Sequence, residues 1–234
     1  TGEPAAAKAD WAREIERLTS VVPGEGYVPE NTDMNPGAVD KFREATGSAL
    51  TQTAALGVIR RGIAKDAVIV GASGSLPGCL QRMWETDAEG SYNVEYGYSC
   101  MGYEIAGAFG AKLACPDKEV YAMVGDGGYL MLHSEMVTAV QEGVKMIVLL
   151  FDNGGFGCIN NLQMGQGIDS LCTEFRKREG DLPIRDGDFL KIDYAMSARA
   201  YGFDGYTART AEELEKALAA ARAGDKPALI DIKV

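Results

Sequence analysis

Asp126 and Asn153 are the two residues of this sequence best suited to share a metal ion. Asp126 follows an apolar run over 120–124 and lies within Gly125-Asp126-Gly127-Gly128, ahead of a helical stretch. An acid at the carboxyl end of a strand takes a cation, while the N–H groups of neighbouring glycines take phosphate oxygens. Alone, Gly-Asp-Gly is equally the composition of an ordinary turn. The next apolar run, over 146–151, ends in Asp152-Asn153-Gly154-Gly155-Phe156-Gly157, so Asn153 comes twenty-seven residues after Asp126. That is the length of one turn, one helix and one strand. A right-handed crossover would then set the two strand ends side by side, roughly 5 Å apart if the strands are neighbours. Mg²⁺ takes about six oxygens, usually shared among protein, phosphate and water. A carboxylate from Asp126, a carboxamide oxygen from Asn153 and a backbone carbonyl near Gly155 would supply three. Drawing two of them from neutral groups avoids repelling a phosphate. A Walker-type site also ends a strand in Asp, but it requires Gly-x-x-x-x-Gly-Lys-[Ser/Thr], and no such string occurs.

Such a pair needs a parallel sheet to carry it, and the surrounding pattern supplies one. Continuous apolar runs at 67–70, 120–124, 146–151 and 228–233 alternate with helical stretches, with weaker strand signals at 92–96 and near Tyr206. Helices are expected over 50–64, near Leu80, and over 101–114, 130–141, 189–201 and 211–223. The last has Thr210 as its N-cap, with Glu212 and Glu213 in its first turn. The stretch 154–187 reads as irregular. Continuous apolar strands alternating with helices specify an α/β fold, a doubly wound parallel sheet with helices on both faces. In such sheets ligands bind beyond the carboxyl ends of the strands. The loop Gly71-Ala72-Ser73-Gly74-Ser75 falls there too. A helix over 5–20, a Pro- and Gly-rich linker over 21–37 and a short helix around Phe42 come first. The expected division is an N-terminal helix and linker over 1–40 and one large domain over 41–234.

The 234 residues carry a formal net charge of -11, which argues against nucleic acid or an anionic membrane surface as partner, since both demand clustered Lys and Arg. No stretch approaches the length of a bilayer span. Five cysteines lie far apart with one histidine and no Cys-x-x-Cys, so neither a zinc site nor a complete disulfide framework is indicated. They read as the thiols of a cytoplasmic protein.

The pairing of Gly125-Asp126-Gly127 with Asp152-Asn153 resembles the signature of thiamine diphosphate (ThDP)-dependent decarboxylases and acetolactate synthases, and the resemblance covers roughly residues 40–234. That signature usually ends in two asparagines; Asp152 replaces the first and Asn153 keeps the second. The resemblance implies the diphosphate-binding (PP) domain of such an enzyme. Asp126, Asn153 and the Gly155 carbonyl would hold Mg²⁺, while Gly127, Gly128, Gly74 and Ser75 would touch the diphosphate. It further implies that Met101, in Ser99-Cys100-Met101-Gly102, props the cofactor in its bent form, with the Ser99 carbonyl accepting from its amino group. By residue type alone Met101 is equally a core methionine. The strings SGSLPG (73–78), YSCMGYE (98–104), YLMLHSE (129–135) and GFGCINNL (155–162) resemble one branch more narrowly. That branch hydrolyses trihydroxycyclohexane-1,2-dione, a cyclic 1,2-diketone, to 5-deoxy-glucuronic acid in inositol breakdown. The rival reading is an acetolactate-synthase-like carboligase or decarboxylase. A non-catalytic nucleotide-binding or regulatory module ranks lower, because the 71–75 loop lacks Gly-x-Gly-x-x-Gly.

Enzymes of this kind also need a Pyr domain, whose Glu hydrogen-bonds the aminopyrimidine ring, and their sites form between subunits. The chain has no room for one, and it opens on Thr1. It is therefore expected to be a C-terminal piece or one subunit of a split enzyme, inactive alone. Its partners would be a Pyr domain of the same or another subunit, further copies in a homo-oligomer, and a polyhydroxylated cyclic diketone as small-molecule substrate. No catalytic side chain is assigned. His133 is expected to be structural, and Glu104, Glu135, Asn160, Asn161, Gln163, Tyr96 and Tyr98 stay open.

Overall fold

The computed structural model describes residues 46–86, 88–181 and 186–234. The helix expected over 5–20, the linker over 21–37, the helix around Phe42 and the boundary near residue 40 lie outside the described residues.

The apolar runs form strands β1 (Val68–Gly71), β2 (Tyr92–Val94), β3 (Val120–Gly125), β4 (Ile147–Asp152), β5 (Asp204–Ala208) and β6 (Ala228–Lys233). All pairings are parallel, in the order β2-β1-β3-β4-β6-β5. The helices between them are α1 (Gln52–Gly62), α2 (Ser75–Met83), α3 (Tyr103–Ala114), α4 (Asp126–Met131), α5 (Glu135–Gln141), α6 (Gly157–Gly165), α7 (Tyr194–Ala200) and α8 (Ala211–Ala223). Side chains alternate across the strands, so the sheet carries two cores. Tyr121, Met123, Leu149, Phe151 and Ile230 pack toward α1, α2 and α8. Ala122, Val124, Val148, Leu150 and Leu229 pack toward α3, α4, α5 and α7. This is the doubly wound sheet that the apolar pattern called for. Thr210 caps α8 by accepting from the Glu213 amide. Among the described residues no helix is long and apolar enough to cross a membrane.

Three elements differ from the sequence reading. The single helix expected over 130–141 is two, α4 and α5. His133 Nδ1 donates to the Tyr129 carbonyl at 2.9 Å, taking the acceptor that the backbone of a continuing helix would use. The stretch expected to be irregular contains α6, whose Gly- and Asn-rich sequence shows no apolar period. Contacts distant in sequence hold it: Asn160, on α6, accepts from the Thr173 hydroxyl at 2.8 Å. The helix expected over 189–201 is confined to α7, capped by Asp193, which accepts from the Met196 amide at 2.7 Å.

Candidate functional site

Strands β3 and β4 are neighbours in register, Gly125 beside Phe151, so Asp126 and the segment after Asp152 emerge together at the carboxyl edge. Asp126 is wholly buried. Its Oδ2 accepts from the Gly155 amide at 2.8 Å and its Oδ1 from the Gly127 amide at 3.0 Å. Burial first, and then the nearby Asp152 carboxylate, push its pKa well above the usual carboxylate range. A buried carboxylate so disfavoured is stabilised by a cation. Asn153 Oδ1 is also buried and has no hydrogen-bond partner, a cost of about 1–3 kcal/mol unless something else is bound to it. The turn that follows Asn153 depends on glycine. Gly154 and Gly155 have φ of 76° and 153°, and a Cβ on Gly155 would lie 2.2 Å from the Thr173 carbonyl oxygen.

Around this corner lies a cavity of about 280 Å³. Each of the nine residues singled out from the sequence lines it: Gly74, Ser75, Ser99, Met101, Asp126, Gly127, Gly128, Asn153 and Gly155. Gly127 keeps one wall close, since a Cβ there would meet the Phe156 ring at 2.6 Å. Ser73, which also lines the cavity, has a second buried polar atom without a partner, its Oγ. The donor set fits a hard cation with an attached phosphate: one carboxylate, one unpaired carboxamide oxygen and a glycine carbonyl, flanked by glycine-rich backbone.

Three contributors escaped the sequence reading or were left open by it. Gln52 reaches the cavity from α1, where its Oε1 accepts from the Ser75 hydroxyl at 2.9 Å; one Gln on an amphipathic helix gives no signal. Glu95 accepts from the Tyr98 and Cys100 amides at 3.0 and 2.7 Å, which shapes the loop presenting Ser99 and Met101. Those backbone bonds lower its pKa. Within that loop Ser99 has φ of 55°, in the left-handed region. Glu104 lies buried on the cavity wall, where its Oε2 accepts from the Gly102 amide at 2.8 Å. Burial pushes its pKa up to about 6 against backbone bonds that pull it down.

That shift has a testable sign. A carboxyl whose folded pKa lies above its unfolded value contributes stability below the unfolded pKa, and loses it as pH rises through the folded one. Between pH 4.5 and 8 the parent should therefore lose about 2 kcal/mol that a Glu104→Gln variant keeps. Denaturant unfolding of both proteins across this range measures it. A stability difference that does not change with pH would contradict the assignment.

The remaining residues weighed from the sequence divide between the cavity and its surroundings. His133 stacks on Tyr129 at 4.8 Å, and its Nε2 accepts from the Tyr201 hydroxyl at 3.0 Å, so it is a satisfied packing residue away from the cavity lining. Asn160 and Gln163 bind Thr173 and Leu171 and so fasten the 170–175 segment. From α6 the cavity takes Cys158, Ile159 and Leu162. Tyr96 lines the cavity, while Tyr98, 91% exposed, does not.

With this geometry in view, the sequence matches over residues 72–232 the family described as "Thiamine pyrophosphate enzyme, C-terminal TPP binding domain". The chain belongs to that family. Among solved structures, the ThDP-dependent 4-hydroxybenzoylformate decarboxylase of Rhodococcus jostii RHA1 is similar, with a TM-score of 0.67 and 26% identity. The match covers 80% of this chain and 33% of that one. Among curated relatives, the 3D-(3,5/4)-trihydroxycyclohexane-1,2-dione hydrolase of Geobacillus thermodenitrificans is 58% identical over 228 residues, 97% of this chain. Proteins of the same name from Clostridium perfringens and Bacillus thuringiensis are 56% and 54% identical. The chain spans 36% of the length of each of these relatives. As a thiamine pyrophosphate enzyme domain, it carries Asp152 and Asn153 where β4 ends.

Proposed function

We propose that this chain is the PP portion of a ThDP- and Mg²⁺-dependent hydrolase that opens trihydroxycyclohexane-1,2-dione, or a polyhydroxylated cyclic diketone close to it, by cleaving the C–C bond between its carbonyl carbons. The observation that carries the cofactor part is the buried, partnerless Asn153 Oδ1 beside the buried Asp126 at two neighbouring strand ends. The substrate part rests on the relatives of that name, more than half identical along the chain.

Asp126, Asn153 and the Gly155 carbonyl would hold Mg²⁺, and the backbone around Gly127, Gly128, Gly74 and Ser75 would hold the diphosphate. Met101 and the Ser99 carbonyl would orient the organic rings. When bound, ThDP supplies the electron sink that C–C cleavage next to a carbonyl requires. The protein's share is geometric and electrostatic. The glycines would let the backbone approach the phosphates closely, and Gln52 accepts a hydrogen bond from the Ser75 hydroxyl. Phe156 packs against Gly127 and forms part of the cavity wall.

A cavity of about 280 Å³ lies just under the 300–1,000 Å³ usual for small-molecule sites, and its lining includes the exposed apolar side chains Tyr96, Ile159 and Leu162. A Pyr domain from the same or another subunit of a homo-oligomer would complete that wall. Residues 1–40 would serve as the connection. None of the five cysteines is in a disulfide, which suits a cytoplasmic enzyme.

The test compares the full-length protein with this chain alone, each supplied with ThDP and Mg²⁺ and offered either the trihydroxydione or pyruvate. Ring opening of the trihydroxydione by the full-length protein only, without turnover of pyruvate, is expected. Preference for pyruvate would instead support an acetolactate-synthase-like enzyme, and turnover by the lone chain would contradict the need for a second domain.

A further inference from the structure

Beneath the cation corner lies a buried charge cluster that the proposed reaction does not use. Asp152 ends β4, and its register partner on β6 is Lys233. Asp231 stands two residues earlier on β6, so its side chain shares the same face of the sheet. All three are buried. The Lys233 ammonium contacts Asp152 Oδ2 and lies 2.9 Å from Asp231 Oδ2. Beyond it the Tyr194 ring lies 5.5 Å away. Burial works against a charged lysine here, but the two carboxylates outweigh it and leave the Lys233 pKa raised.

The cluster connects to the site through Asp152. While Oδ2 faces Lys233, Oδ1 accepts from the Gly154 amide at 3.0 Å. One residue on, the Gly155 amide donates to Asp126 Oδ2. A line of hydrogen bonds thus runs from β6 through Asp152 into the turn over 153–155 and on to Asp126. Two carboxylates side by side in a water-poor corner repel each other unless a positive charge lies close. Asp126 and Asp152 are such a pair, and Asp231 adds a third acid. Among the described residues Lys233 is the cation in direct contact with this group, and Arg209 adds a weaker attraction to Asp231.

We propose that Lys233 is a positioning residue for the cation site: clamped between Asp152 and Asp231, it offsets the second carboxylate beside Asp126 and lets Asp152 fix the 153–155 turn so that Asn153 Oδ1 faces the cavity. This rests on the reading that a cation and diphosphate bind at Asp126 and Asn153. Lys233 itself touches neither group.

The experiment measures ThDP affinity at fixed Mg²⁺, and Mg²⁺ affinity at saturating ThDP, by calorimetry on the full-length protein. Three forms are compared: the parent, Lys233→Met, and the double variant Lys233→Met with Asp152→Asn. The methionine keeps the length and the apolar stem. The asparagine keeps an acceptor for the Gly154 amide without the charge. Lys233→Met should weaken both affinities about 10- to 100-fold, the range usual when a group supporting the ligands is lost. The double variant should recover to within about threefold of the parent, because the uncompensated charge beside Asp126 is gone, while Asp231 keeps the attraction of Arg209. A merely structural lysine would not be rescued by changing Asp152. Should Lys233→Met fail to fold, folding and binding by the double variant would support the proposal alone. Parent-like affinity in Lys233→Met, or a double variant that fails to fold or binds no better than the single, would overturn it while leaving the cofactor site standing. A parent that binds no ThDP would overturn the cofactor reading and this inference with it.

Discussion

An Asp126→Asn variant should lose ThDP binding by more than about 100-fold, beyond the loss usual for residues that only support metal ligands, while its cofactor-free form melts no lower than the parent. The two halves of this expectation have one cause. Asp126 is fully buried beside Asp152, so without a cation its negative charge is a burden on the fold. Asparagine keeps a side-chain oxygen for the Gly155 or Gly127 amide, so the turn retains part of its support. What it cannot supply is the charge that, on the proposed reading, would hold Mg²⁺ against a diphosphate. Calorimetric titration with ThDP and Mg²⁺, paired with thermal melts in their absence, reads both. A variant that binds normally would show that Asp126 is not a ligand. One that binds poorly and melts far lower would make Asp126 a structural acid.

Gly155→Ala should have the largest effect on stability, about 3 kcal/mol, because backbone and overpacking terms act together. The new Cβ would sit 2.2 Å from the Thr173 carbonyl oxygen and 2.9 Å from the Glu174 Cα. Both are backbone, so no flexible side chain can yield. At φ of 153° an alanine is strained whatever the space. For a domain of this size the melting temperature should fall by about 6–12 °C. Binding should go with it, since the Gly155 amide donates to Asp126 and its carbonyl is a proposed metal ligand. Gly110→Ala is the control. That glycine lies within α3, and a Cβ there would meet nothing within 4 Å. It should be neutral, or stabilising by up to about 1 kcal/mol. Equal behaviour of the two alanines would mean that the close approach at Gly155 is not a constraint.

Much of this was legible in the residues because the physics is local. An apolar run such as 146–151, alternating with helical stretches, reads as a buried strand, and the glycines beside Asp126 and Asn153 mark where the chain leaves its strand. One crossover length then fixes which turns meet. The resemblance to ThDP enzymes added the chemistry that spacing could not name. What stayed hidden depends on partners distant in sequence. The bond from His133 to the Tyr129 carbonyl, which ends α4, becomes predictable only once the ring is known to be held by Tyr201. Helix α6 exists because Thr173 and Leu171 hold Asn160 and Gln163, not because its own residues favour a helix. Gln52 and Lys233 come from elements far from the motif in sequence, brought in by the fold of α1 and the β4–β6 register. Neither carries a local signature.

The most direct test is a crystal structure of the protein grown with ThDP and Mn²⁺ in place of Mg²⁺, with anomalous scattering to locate the metal. The expected result is one anomalous peak at the β3 and β4 ends, about 2.0–2.2 Å from an Asp126 oxygen, Asn153 Oδ1 and the Gly155 carbonyl, with diphosphate density against Gly127 and Gly128. A metal bound elsewhere, or a diphosphate seated away from these strand ends while Asn153 Oδ1 stays without a partner, would contradict it.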